Sequence, residues 1–409
     1  MHRNERITNA IAVGVFAFAT LCASAQEMEY KTAGDCAGFP KLHLTTKSGL
    51  CVGLVASHLG FVRGVAVAGD SIFVADMGEW DRGHGRIWRI GALGHGKAEV
   101  ILDKLDEPNA LLLSPRGTIY VGELGKIIEF DPKAQEPAKT VRDVVIGLPD
   151  SGRHPLPALA QSDDGALFMN VGAASNNCEA APGELAKDGL CFESGGSKPR
   201  GVILRVMPEE GKAVDAWSGD IVARGLRNSM ALAVFKGNTL LAAVNARDAI
   251  NQADPKLSDE DLPHDTLDVI ELGADYGWPY CYDNNVPSPE YRSFDCSHKH
   301  VPTMLLPAHA APLGMIVYQG DMLPGFRDHL LIGYHGFRKS GHRIVALALD
   351  SKGQPVGNPE EIISHWEFVK RDHPQGAPVA LALLPDGSIL VTEDLNGTLL
   401  RIAASGAKP

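Results

Sequence analysis

His154 stands in GLPDSGRHPLPAL (147–159), between a turn and an apolar run. An imidazole there sits near its working pKa and is suited to accept a proton as a general base. Arg227 and Asn228 stand in ARGLRNSMAL (223–232), and Arg247 with Asp248 follows the next apolar run. A guanidinium offers a planar fork for a carboxylate or a quinone oxygen. Each residue also has a plainer reading. A lone histidine is more often a packing residue, and a buried arginine often bonds neighbouring carbonyls. The order of the set adds weight. Successive apolar runs are entered by Arg63, Asn109, His154, Arg227 with Asn228, His309 and Gln375, all polar. Polar groups converging on the mouth of a cavity are the default ligand site.

Such convergence needs a ring of strands, and the sequence repeats accordingly. An apolar run, a Gly-containing turn, a β-rich run, a second turn and a third strand recur six times. The clearest copies are GVAVAGDSIFVADMGEWDRGHGRIWRI from Gly64, ALLLSPRGTIYVGELGKIIEF from Ala110 and VALALLPDGSILVTEDLNGTLLRI from Val379. Looser copies begin near Ala158, Met230 and Gly314. Antiparallel meanders at this spacing predict an all-β fold, a six-bladed β-propeller. The last copy has three strands before Pro409, so a strand from Cys51 to His58 is expected to complete that blade and close the ring. Residues 26–50 read as irregular. Insertions at Ala174–Arg200, Arg247–Leu262 and Tyr280–Pro312 are rich in turn formers and predict walls around a site.

The 409 residues are 44% hydrophobic, ample for a packed core. With 38 basic and 50 acidic residues the formal net charge is -12, which argues against nucleic acid or an anionic membrane as partner. His2, Arg3 and Arg6 precede an apolar stretch from Ala10 to Leu21 and a small-x-small site at Ala23-Ser24-Ala25. This pattern predicts a leader over 1–25, too short for a membrane span, and a periplasmic or secreted protein after cleavage near Ala25. The mature part, 26–409, reads as one domain. It keeps six cysteines, falling as Cys36/Cys51, Cys178/Cys191 and Cys281/Cys296. Nearest-neighbour disulfides are the simplest expectation in an oxidising compartment. No CxxCH occurs, so covalent haem is excluded on spacing.

Five segments together resemble the soluble glucose/sorbosone dehydrogenases that use pyrroloquinoline quinone (PQQ). They are GLPDSGRH at 147–154, ARGLRN at 223–228, DTLDVIELGADYGWP at 265–279, HAAPLGM at 309–315 and PVALALLPDGSILVTED at 378–394. The resemblance implies a six-bladed propeller. It puts His154 on the catalytic base, and Arg227 and Asn228 on residues that hold PQQ and its substrate side. Arg247 and Arg338 fall among the cofactor contacts. The backbone carbonyls of Ala246 and Arg247 fall where calcium would bridge to PQQ, and Asn109 and His309 lie on the substrate side. Four positions depart from the family pattern. Ala173 replaces an Asp that supports the base, Ala246-Arg247 a Gly-Pro turn, Ala377 an Arg and Thr266 a Glu.

The expectation is an exported PQQ- and calcium-dependent oxidoreductase acting on a sugar or related alcohol or aldehyde. An external acceptor would take the electrons. With no Asp at 173, the His154 pKa is expected near the ordinary 6.5 or so. The departures also leave room for a silent propeller that binds a glycan or protein partner. A lactone hydrolase would need channel carboxylates, whereas the mouth residues are Arg, His and Asn.

Overall fold

The computed structural model describes residues 29–181, 184–185, 189–367 and 373–407. The leader expected over 1–25 lies outside them. Six sheets stand around one axis, each a blade. The innermost strands are Val62–Ala68, Ala110–Leu113, Leu159–Gln161, Ala231–Phe235, Pro312–Val317 and Pro378–Leu383. Each neighbours the next, and the sixth neighbours the first, so the ring closes.

Small residues allow the inner strands to approach. A Cβ on Gly64 would lie 2.6 Å from the Leu111 nitrogen, and one on Gly314 would lie 2.2 Å from the Val379 oxygen. The narrow channel they leave holds a cavity of about 100 Å³. Second strands such as Ile119–Glu123 and Ile389–Glu393 are buried along their whole length, because both faces pack on other blades. The core therefore lies between blades, as where Phe73 meets Phe130 edge-on at 5.9 Å.

The three-strand unit read from the sequence is extended by a fourth, outer strand in each blade. Outer strands such as Ala98–Leu105 are half exposed and lack a clean apolar alternation, which is why the repeat conceals them. The sixth blade takes its fourth strand from Leu50–Ala56, pairing Leu54 with Leu400 and Val52 with Ile402. This is the closure predicted from the last repeat. Residues 26–50 are more regular than expected where described. Thr32–Cys36 and Phe39–Leu42 form a hairpin on the outer edge of the sixth blade, and Thr45–Thr46 pairs with the fifth. Their pattern is weak because most of their side chains face solvent. The three nearest-neighbour disulfides are present as Cys36–Cys51, Cys178–Cys191 and Cys281–Cys296. Among the described residues no helix is long and apolar enough to cross a membrane.

Candidate functional site

The end of the ring where the inner strands begin carries every candidate ligand-binding residue. His154 lies in the segment entering the third inner strand. Its backbone is pressed against Gly172, where a Cβ would fall 2.6 Å from the His154 oxygen and 3.0 Å from Asn228 Oδ1. Glycine is required for that three-way approach. His154 Nδ1 lies 2.9 Å from the Ala173 carbonyl, which can only accept. Nδ1 therefore carries the hydrogen, and Nε2 is left as a bare acceptor. Burial, and then the Arg227 charge, lower its pKa to about 3. The ordinary value expected from the sequence is thus corrected. With alanine at 173 only the backbone carbonyl holds the ring there, and a carbonyl brings no full negative charge to offset Arg227.

Arg227 is 4% exposed, and its guanidinium is spent on the chain itself. Nε donates to the Asn176 carbonyl at 2.8 Å, and Nη2 to Asn176 Oδ1 at 2.8 Å. Nη1 donates to the carbonyls of Asn245 at 3.1 Å and Ala246 at 2.7 Å. The plainer reading of a buried arginine holds here, and Arg227 is not a free fork for a cofactor. Its pKa falls to about 10 on burial, so it remains charged at neutral pH. The Ala246 carbonyl, expected to bind calcium, faces a cation already in place. A calcium at its usual ~2.4 Å from that oxygen would sit within about 5 Å of Nη1. At an effective dielectric near 20 the two charges would repel by roughly 7 kcal/mol. The residues present do not fit calcium at this turn.

Carboxylates of the insertions hold the other cations. Arg247 is buried and paired with Glu290, so it too is unavailable to a cofactor. His309 Nε2 lies 2.6 Å from the Asp259 carbonyl, and Nδ1 lies 3.5 Å from Asp248 Oδ1. Serving both acceptors requires a hydrogen on each nitrogen. The contact with Asp248 accordingly raises the His309 pKa, and His309 holds the Asp248 carboxyl below its ordinary range. A ring clamped from both sides is not the free substrate contact expected. Arg338 pairs with Asp259 and Arg153 with Asp248, both partly exposed. These two pairs are exchangeable, because exposed ion pairs contribute little.

Asn109 belongs elsewhere. It accepts from Arg63 Nε at 3.0 Å and donates to the Pro157 carbonyl at 3.0 Å, tying the first three blades together rather than facing a substrate. Arg63 also donates to Asp394 at 2.9 Å, and His335 Nε2 lies 3.0 Å from the same carboxylate. Gln375 contacts His342. Thr266 donates to the buried Asp268, and the Ala377 nitrogen donates to Glu393. An open cleft of about 1360 Å³ lies on the same end, between the sixth and first blades.

The structure thus joins His154, Arg227, Asn228, Arg247, His309 and Arg338 in one network and leaves Asn109 outside it. Sequence reasoning missed Asn176, Asp259, Glu290, His335 and Asp394. Charge balance was the available signal. Several arginines in one dry mouth demand counter-charges, and the acidic insertions at 247–262 and 280–312 supply them.

Two disulfides brace this network from behind. Cys281–Cys296 staples the first half of the insertion that carries Glu290. Cys296 is buried, with Sγ 3.9 Å from the Tyr280 carbonyl. It therefore supports the wall and is not itself a contact residue of the mouth. Cys36–Cys51 lies apart from the site, under the outer hairpin of the sixth blade. Asn176 stands two residues before Cys178, and the Cys191 nitrogen donates to the Tyr280 hydroxyl at 2.7 Å. Opening the Cys178–Cys191 loop by Cys178→Ser with Cys191→Ser is expected to cost about 3 kcal/mol. Urea unfolding of the double variant measures this, and an unchanged midpoint refutes the brace.

The glucose / sorbosone dehydrogenase family model matches residues 133–371, a span running from before His154 to beyond Arg338. Solved structures share the fold. A family AA12 carbohydrate-active enzyme of Trichoderma reesei is 18% identical at a TM-score of 0.72, covering 91% of this chain and 100% of that one. The holo PQQ domain of pyranose dehydrogenase from Coprinopsis cinerea is 18% identical at 0.71, covering 90% and 99%. The apo soluble aldose sugar dehydrogenase of Escherichia coli is 17% identical at 0.62, covering 87% and 99%. A Borreliella burgdorferi protein described as uncharacterized is 31% identical over 193 residues, 45% of this chain. The match spans about half of that curated relative, 48% of its length.

Proposed function

The chain belongs to the glucose/sorbosone dehydrogenase family, and on that premise we propose that it is an exported oxidoreductase that oxidises a sugar or related alcohol or aldehyde with PQQ bound at the mouth. One observation carries the reading. Among the described residues His154 keeps a neutral Nε2 with no partner, and the Asn228 Oδ1 that approaches Gly172 from the other side is buried and unpartnered. An unpartnered imidazole nitrogen is a proton acceptor suited to a hydroxyl-bearing ligand. Arg153 and Arg338 are the cations able to turn toward the carboxylates of PQQ, since their present pairs are exposed. When bound, the quinone supplies the acceptor for the hydride that leaves the substrate carbon. His154 Nε2 takes the hydroxyl proton, while the Ala173 carbonyl keeps Nδ1–H in place and holds the ring plane. Negative charge brought beside the ring opposes the Arg227 field and raises its basicity toward the working range. His154 would then release the proton to solvent, and the reduced group would need an external electron acceptor.

Export, with leader cleavage near Ala25, is part of the proposal. Three disulfides within the described fold suit an oxidising compartment. The test is dye reduction by purified protein with added PQQ, over a panel of aldoses, polyols and aldehydes. Substrate- and PQQ-dependent reduction is expected. A second reading, a silent binding propeller, is favoured by the spent guanidinia of Arg227 and Arg247. Absence of PQQ binding by the wild type, with no dye reduction on any substrate, would select it.

A further inference from the structure

Arg227 sits in a cage built wholly of oxygen. Around its guanidinium stand the Asn176 carbonyl and Oδ1, both at 2.8 Å, and the carbonyls of Asn245 at 3.1 Å and Ala246 at 2.7 Å. Asp248 Oδ2 stands at 3.7 Å. Carbonyl, amide and carboxylate oxygens from separate segments are the ligand chemistry of a hard divalent cation. Here the cation is a side chain of the chain itself. Local structure explains how it is held. The Ala173 nitrogen donates to the Arg227 carbonyl at 2.8 Å, which fixes the backbone from which the side chain enters. Asn176 Nδ2 donates to the Asp248 carbonyl at 2.9 Å, and the Asp248 nitrogen donates to Asn176 Oδ1 at 2.9 Å. Those two bonds lock two walls of the cage together. The Ala246 nitrogen donates to Asp265 at 2.8 Å, which turns the Ala246 carbonyl inward.

We propose that the Arg227 guanidinium is the built-in cation of this mouth, replacing a divalent ion at the Asn245–Ala246 turn. The protein therefore binds its quinone without calcium. Two properties of the guanidinium support the exchange. It cannot be deprotonated at neutral pH, so the positive charge is permanent. Its planar fork also reaches several carbonyls at once, whereas a lysine ammonium is a point charge. A metal would have to displace four hydrogen bonds and enter beside a fixed like charge. The inference deepens the quinone reading and rests on it only where PQQ itself is the probe.

Three measurements test it. In the first, the wild-type apoprotein is titrated with calcium by calorimetry and by thermal midpoint against EDTA. Equal midpoints and no saturable heat are expected. A one-to-one calcium site in the wild type that Asp248→Asn weakens or abolishes overturns the inference. In the second, PQQ is titrated by fluorescence quenching in EDTA and in excess calcium. Equal dissociation constants are expected, and binding weaker in EDTA by about tenfold or more overturns the inference. In the third, Arg227→Ala empties the cage, and calcium is expected to raise the thermal midpoint of this variant by mass action. A folded variant indifferent to calcium overturns the inference. If Arg227→Ala does not fold, the wild-type titrations decide. If PQQ binds in neither medium, the quinone reading falls, and the first and third measurements still judge the cation.

Discussion

His154→Ala is expected to cut turnover by about a hundredfold or more, the usual size of a general-base contribution. Location is the reason. The ring is held at Nδ1 by the Ala173 carbonyl and belongs to none of the inter-blade apolar clusters, so truncation removes the proposed reacting nitrogen without opening a core. PQQ affinity should change little, because the cations assigned to it are Arg153 and Arg338. A second readout reports the burial of the ring. The folded pKa is about 3 against about 6.5 in the unfolded chain, so below 6.5 the unfolded state binds the extra proton. Stability therefore rises with pH between about 3 and 6.5, by up to roughly 1.4 kcal/mol per unit from this group, and is flat in it above that window. His154→Ala should remove that slope and resist acid better than the wild type relative to its own stability at pH 7. Urea midpoints across that window measure the slope, and dye reduction measures turnover. Undiminished turnover in the variant would make His154 structural.

The propeller was legible because its cause is periodic. Second strands such as Ser71–Asp76 and Ile389–Glu393 must be apolar, the turns between them need Gly or Asp, and the pattern returns once per blade. Closure by Leu50–Ala56 followed from an unpaired last edge. The disulfides, Cys281–Cys296 among them, followed from nearest spacing. The site was legible only in part, and the part that failed concerns direction. Sequence puts Arg227 and His309 at strand entries and Arg247 just past a strand end, but does not say whether a side chain points to the mouth or back into the insertions. That choice belongs to Asn176, Glu290, Asp248 and Asp259, which lie in loops with no repeat to register them. Asn109 shows the same limit. Its position at an inner strand matched the ligand pattern, yet both ends of its amide are consumed by neighbouring blades.

Arg227→Ala is expected to destabilise the fold by about 3–5 kcal/mol, the cost of breaking a buried, fully bonded charge site. The variant strands the Asn176 carbonyl and Oδ1 and the carbonyls of Asn245 and Ala246, and each acceptor left dry costs about 1–3 kcal/mol before relaxation. Water entering the vacated space recovers some of that, so the sum of the parts is an upper bound. Arg338→Ala is the control. Arg338 belongs to the same network and bonds Asp259 twice, but its side chain is 36% exposed, so its loss should cost no more than about 1 kcal/mol. The comparison isolates burial, since both residues are arginines at one mouth with oxygen partners. Urea unfolding of the two variants in EDTA measures the difference. Equal costs would mean that the cage around Arg227 is as wet as the surface pair. The arginine would then be free to turn toward a cofactor, as its sequence position first suggested.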